Sequence, residues 1–98
     1  VADTFRLRVM SLVRTLFDDD VESVFLQGDE GEYELLPFHY PLIGALVNSE
    51  IKIARQTALH VRSGVVLFDN NTCIILVEEQ NIEKFLFPGK KAEEGKKV

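Results

Sequence analysis

Alternation of apolar and polar side chains runs along most of the chain and predicts strands. Phe5, Leu7 and Val9 alternate with Arg6 and Arg8, the period of two that marks a strand with one wet face. Leu12 to Phe17 is mixed in pattern but rich in β-compatible residues, so a second strand is expected there, closed by a turn at Asp18, Asp19 and Asp20. Val21 to Leu26 resumes as a strand, and Gln27-Gly28-Asp29-Glu30-Gly31 ends it with loop chemistry.

Tyr33 to Leu36 is short and stops at Pro37. Pro37 and Pro41 bracket Phe38-His39-Tyr40, which excludes helix interior. Leu42 to Val47 reads as a strand or one helical turn, with Asn48 and Ser49 as a turn after it. Ile51 and Ile53, then Leu59 and Val61, alternate with polar or small neighbours across Gln56-Thr57 and predict a hairpin. Val65 to Phe68 and Thr72 to Val77 flank Asp69-Asn70-Asn71 and predict another, because Asn and Asp tolerate the positive φ of a tight turn. Asn81 to Phe87 reads as a short helix or strand before Pro88-Gly89, and the Lys- and Glu-rich remainder reads as a frayed tail.

Short strands at close spacing, with no long amphipathic helix, place the chain in the all-β class as a β-sandwich or flattened barrel. Its 98 residues leave room for one core. A hydrophobic fraction of 46% is enough to offset the entropy of ordering. The net charge of -5 argues against nucleic acid, which needs clustered Lys and Arg, and suits a partner that offers basic groups. The longest apolar runs, Val65 to Phe68 and Cys73 to Val77, fall far short of the about 20 residues a spanning helix needs. No signal peptide is visible, and a first residue of Val leaves a lost leader open.

Candidate chemistry is sparse. Cys73 is the single cysteine, so an internal disulfide and a Cys-based zinc site are both excluded, and its apolar setting predicts a buried, inert thiol. Asp18 to Asp20 reads as a solvated acidic turn, not a cation site. Asp69, Asn70 and Asn71 lack the glycine and distal glutamate of a calcium loop. His39 and His60 have no nucleophile motif beside them, and Ser63-Gly64 lacks a hydrolase elbow. No HExxH, phosphate-binding loop or dinucleotide fingerprint occurs, so no catalytic residue, metal or cofactor is expected. One segment stands apart. Gly28 to Leu42 reads GDEGEYELLPFHYPL, with two glycines, four carboxylates (Asp29, Glu30, Glu32, Glu34) and two stiffening prolines, a composition suited equally to recognition and to an ordinary wet loop.

This segment resembles the epsilon subunit of F-type ATP synthases, called delta in mitochondria. That family carries a motif close to G-x-E-G-E-x-G-[VI]-L-P-G-H-x-P-L. Gly28, Glu30, Gly31, Glu32, Leu36, Pro37, His39, Pro41 and Leu42 match it in register without a gap. The resemblance extends in order from Thr4 to Glu79, through the opening FRLRVMSLVRTLFDDDVESVFL, Ser63-Gly64 where the family has S-G-G, and the closing strand Thr72 to Glu79. Gln27 stands for the usual proline, Glu34 and Phe38 stand where the family has glycine, Asn48-Ser49 replaces Pro-Gly, and Val65 replaces the second glycine of S-G-G.

The resemblance implies an about ten-stranded sandwich over residues 1–87, followed by a short charged tail over 88–98. It implies a non-catalytic rotor subunit at the foot of the central stalk, coupling rotation of the c-subunit ring to the gamma subunit. Such a subunit lies peripherally on an energy-coupling membrane, expected at the cytoplasmic face of a bacterial inner membrane with an organelle left open, and with no small-molecule ligand. By motif position Glu30, Glu32 and His39 are expected to face the c-ring, and Ser11, Leu42 and Gly44 to lie near gamma. Plain core remains open for Leu42. The family's C-terminal two-helix domain is not expected in so short a chain, whether from a short lineage or an N-terminal fragment. Two alternatives stay open: a stand-alone β-sandwich adaptor that shares only the fold, and a small hydrolase or ligand-binding sandwich with a pocket at His39 or His60.

Overall fold

Every regular element that the computed structural model describes, over residues 3–79, is a β-strand. In chain order these are β1 (Phe5–Met10), β2 (Thr15–Val21), β3 (Val24–Gly28), β4 (Gly31–Leu35), β5 (Leu42–Leu46), β6 (Ser49–Ile53), β7 (Thr57–Asp69) and β8 (Thr72–Glu79). Eight strands over the described residues thus stand where about ten were expected. Asn81 to Phe87 and the tail lie outside the described residues.

The ladder runs β2-β1-β8-β7-β6-β3-β4, with β5 also on β7. All pairings are antiparallel except β1 with β8, where Leu7 opposes Cys73 and Val9 opposes Ile75. The 13-residue β7 organises both layers. Its second half pairs with β5, from Leu42↔Phe68 to Leu46↔Gly64, and its first half with β6, from Ser49↔Val61 to Ile53↔Thr57. Between Leu46 and Ser49 the two arms each advance three residues, so the register is unbroken. β5 and β6 are therefore one arm of a long hairpin, and Val47-Asn48 is an interruption rather than the expected turn. At the interruption the Val47 N–H donates to the Gln27 carbonyl of β3 at 3.0 Å, which draws the second layer against the first.

The core lies between the layers. Phe5, Leu7 and Val9 of β1 are buried, as are Val66 and Phe68 of β7 and Cys73, Ile75 and Val77 of β8. From the other layer come Val24, Leu26, Leu35, Ile51 and Ile53. The Phe5 and Phe68 rings meet at 5.3 Å and 59°. Each such large side chain contributes roughly 1.5–3 kcal/mol by leaving water.

Several boundaries differ from the sequence reading, each for a physical reason. Asp18, Asp19 and Asp20 are not a turn but the middle of β2. Asp18 and Asp20 sit across from Arg8 and Arg6, and opposite charges directly across a ladder stabilise it. The turn comes earlier, at Ser11 to Arg14, where the Ser11 hydroxyl accepts the N–H groups of Val13 and Arg14, both at 3.2 Å. Val21 ends β2, and β3 starts only at Val24. Ser63-Gly64 does not divide two strands; β7 runs through it with a register shift against β8 between Val61 and Ser63. Gly64 is required there, since a Cβ would lie 2.8 Å from the Leu76 carbonyl oxygen. The hairpin at Asn70-Asn71 forms as expected, with φ of 52° and 56° and with Asp69 paired to Thr72.

Candidate functional site

The candidate site starts at the β3–β4 hairpin. Gly28 pairs with Gly31, leaving Asp29-Glu30 as a two-residue tip. Gly31 takes φ 124°, so the two acidic residues can keep ordinary backbone angles. Asp29, Glu30, Glu32 and Glu34 are all exposed. Glu32 lies 3.8 Å from the Lys52 ammonium on β6, both largely in water, a pair worth at most about 1 kcal/mol.

Beneath the hairpin lies Tyr33. Its ring fills the space that missing side chains leave at Gly28 and Gly44: a Cβ on Gly44 would sit 3.3 Å from the phenolic oxygen, and one on Gly28 3.4 Å from the ring. Burial raises the Tyr33 phenol above its ordinary value, with the nearby Cys73 adding to the shift.

The segment after β4 closes the site. The Leu36 carbonyl accepts the His39 N–H at 3.3 Å, making a turn with Pro37 and Phe38 at its centre. His39 Nδ1 lies 2.6 Å from the Tyr40 carbonyl, which can only accept, so Nδ1 carries the proton. The imidazole packs between Tyr40 at 4.4 Å and the edge of Phe68 at 5.6 Å. Glu30, Glu32, His39, Leu42 and Gly44 line one depression of about 400 Å³. The three residues expected to face the c-ring thus share one depression with Leu42 and Gly44, two of the three expected near gamma, so the two sets do not lie on separate surfaces. Leu42 also packs against the core, and Gly44 seats Tyr33.

Ser11 lies elsewhere. With Met10 and Leu12 it lines an apolar groove of about 620 Å³ over Ala45, Val65 and Leu76. This groove belongs to a surface that the sequence reading missed. On the outward face of β5, β7, β8 and β1, Ile43, Leu67 and Ile74 form one cross-strand row, and Ala45, Val65, Leu76 and Met10 form the next. Ile43 is 74% exposed and Leu76 55%, with Leu12 at 96% in the adjoining turn. A rim of ions borders the face: Arg6 Nε to Asp18 at 2.8 Å, Arg6 Nη1 to Asp20 at 3.6 Å, and Arg8 Nε to Asp18 at 3.8 Å. The hydrogen bond to Asp18 raises the Arg6 guanidinium further above its ordinary range. The signal was present, since Val65 to Phe68 and Cys73 to Val77 run apolar without the alternation a wet face imposes. Among the described residues no group of three His, Cys, Asp or Glu side chains could hold a metal ion.

A profile of the ATP synthase delta/epsilon chain β-sandwich domain matches residues 4–81. The chain belongs to this family. Among curated members, the chloroplastic ATP synthase epsilon chain of Zygnema circumcarinatum is 33% identical over 79 residues, covering 78% of this chain and 59% of that one. The ATP synthase epsilon chain of Sulfurovum sp. is 34% identical over 79 residues, covering 74% and 62%. The chain thus spans about three fifths of the length of these relatives. Among solved structures, a chain in the mitochondrial ATP synthase of Euglena gracilis (OSCP/F1/c-ring) superposes with a TM-score of 0.72 at 13% identity, covering 81% of this chain and 53% of that one. A chain of the central stalk/c-ring of the Tetrahymena thermophila mitochondrial ATP synthase gives 0.67 at 13% identity, covering 96% and 77%. At that identity the structural likeness speaks for the family's fold.

Proposed function

We propose that this chain is a non-catalytic rotor subunit of an F-type ATP synthase, joining the c-subunit ring to the gamma subunit in the central stalk. The observation that carries the reading is the presence, on one small family domain, of two chemically distinct faces that share β5: an acid-tipped end and an apolar flank with an ionic rim. Exposed apolar patches rimmed by charge mark protein interfaces. The flank suits a permanent partner, here gamma. The hairpin carboxylates suit basic loops of the c-ring, where charge sets orientation more than affinity. A close-packed two-layer core between them deforms little and can pass torque.

The gamma contact in this reading keeps Ser11 and runs through Ile43 and Ala45, the outward neighbours of Leu42 and Gly44. Glu30, Glu32 and His39 face the ring. The chain lies peripherally on the energy-coupling membrane through these contacts, on the cytoplasmic side in a bacterium.

Co-purification tests the reading. Gamma from the same organism should form a stable complex with the full chain, and Leu67→Asp should abolish it while thermal unfolding stays unchanged. A chain that never retains gamma would overturn the rotor reading and favour the stand-alone adaptor.

A further inference from the structure

Phe38 holds its backbone at φ 66° while its ring stands 69% exposed. Both facts run against ordinary economy of structure. A bulky residue in the left-handed region is strained, and persists only where the surroundings impose it. They do impose it here. The Leu36–His39 turn has Pro37 at its second position and a positive φ at its third, the type II arrangement in which glycine normally takes the third place. The Phe38 N–H donates to Asn71 Oδ1 at 2.7 Å, and Asn71 Nδ2 donates to the Thr4 carbonyl at 3.0 Å. The turn is thus tied to both the β7–β8 hairpin and the start of β1. This turn therefore holds a phenyl side chain, largely in water, at a position whose backbone favours glycine.

We infer that Phe38 is an aromatic anchor that inserts into an apolar notch of the same partner surface the acidic hairpin engages. The inference rests on the ring-facing reading of Glu30 and Glu32. Two observations join it to that partner. His39 and Tyr40, the next two residues, line the depression shared with Asp29, Glu30 and Glu32, and Tyr40 is itself 74% exposed. An exposed aromatic side chain on a tied turn beside carboxylates suits a partner surface that offers a basic group, and aromatic residues are enriched at interfaces. The partner is the c-ring surface that the proposed function gives to these carboxylates. Because the turn is already fixed, Phe38 loses little freedom on docking.

The test compares F38G with E32K in the full chain assembled with gamma, measuring binding to purified c-ring and thermal unfolding of the free chain. For F38G, affinity should fall about tenfold or more while the unfolding midpoint stays level or rises, since glycine relieves the backbone and no buried contact is lost. A ring with a structural role would instead lower the midpoint and leave affinity unchanged, which overturns the anchor. Weakening by E32K alone keeps the hairpin assignment and rejects Phe38. Weakening by F38G alone rejects the hairpin assignment and, with it, the shared surface, so the anchor as stated here is overturned. Binding unaltered by either change, or no binding at all, removes both.

Discussion

Tyr33 and Gly44 interlock across strands that are not paired with each other: the phenolic oxygen of one lies 3.3 Å from where the other would carry a Cβ. Gly44 has no positive φ that would call for glycine; what defines it is the space taken by this ring and by Val66, whose Cγ1 is also 3.3 Å away. Gly44→Val should push Tyr33 out of its seat and destabilise the domain by about 1–3 kcal/mol. Urea unfolding of Gly44→Val and of Gly44→Val with Tyr33→Ala checks this, with the second change recovering part of the loss.

Gly64 is the stricter case. A Cβ there meets backbone, not a side chain that can turn away. Gly64→Ala should shift β7 from β8 and lower stability by roughly 1–3 kcal/mol. Hydrogen exchange should show the loss first at Val65, the next residue, and at Val77, the ladder partner of Gly64.

Cys73 governs the alkaline limit. Burial pushes its thiol from 9.0 up to about 12. The folded chain therefore holds this proton more tightly than the unfolded chain. Its contribution is fully present below about pH 9 and is lost as pH rises toward 12, because the unfolded state ionises first. The raised Tyr33 phenol acts in the same direction. Denaturant midpoints measured between pH 8 and pH 11 should fall, less steeply for Cys73→Ala, and a thiol reagent at pH 8 should leave native Cys73 unmodified.

How far the fold was legible varies by element. Phe5 to Met10 and the Asn70-Asn71 hairpin declare themselves, because alternation and paired left-handed residues have local causes. The Asp18–Asp20 run does not: three acids read as a turn until Arg6 and Arg8 are known to lie opposite. The continuity of β5 with β6 is equally hidden, since it depends on β7 supplying one uninterrupted edge. At the site, the motif picked out Glu30, Glu32 and His39, which line one depression, but Leu42 and Gly44, expected on a gamma-facing surface, line it too. The outward face escaped notice because the unbroken apolar runs show that both sides of β7 and β8 are apolar, while layer packing decides that Leu67 and Leu76, with Ile43 beside them, lie outside.

The hairpin formed by β5–β6 against β7 has a mechanical corollary. Its hydrogen bonds lie across the strands, so a pull along the long axis loads many of them in shear together rather than peeling them one at a time. The same ladder starts beside His39 and ends in the opposite layer at Ile53 and Thr57. A push delivered at the acid-tipped end is therefore carried along a continuous backbone beam, and side-chain packing need only keep that beam from buckling.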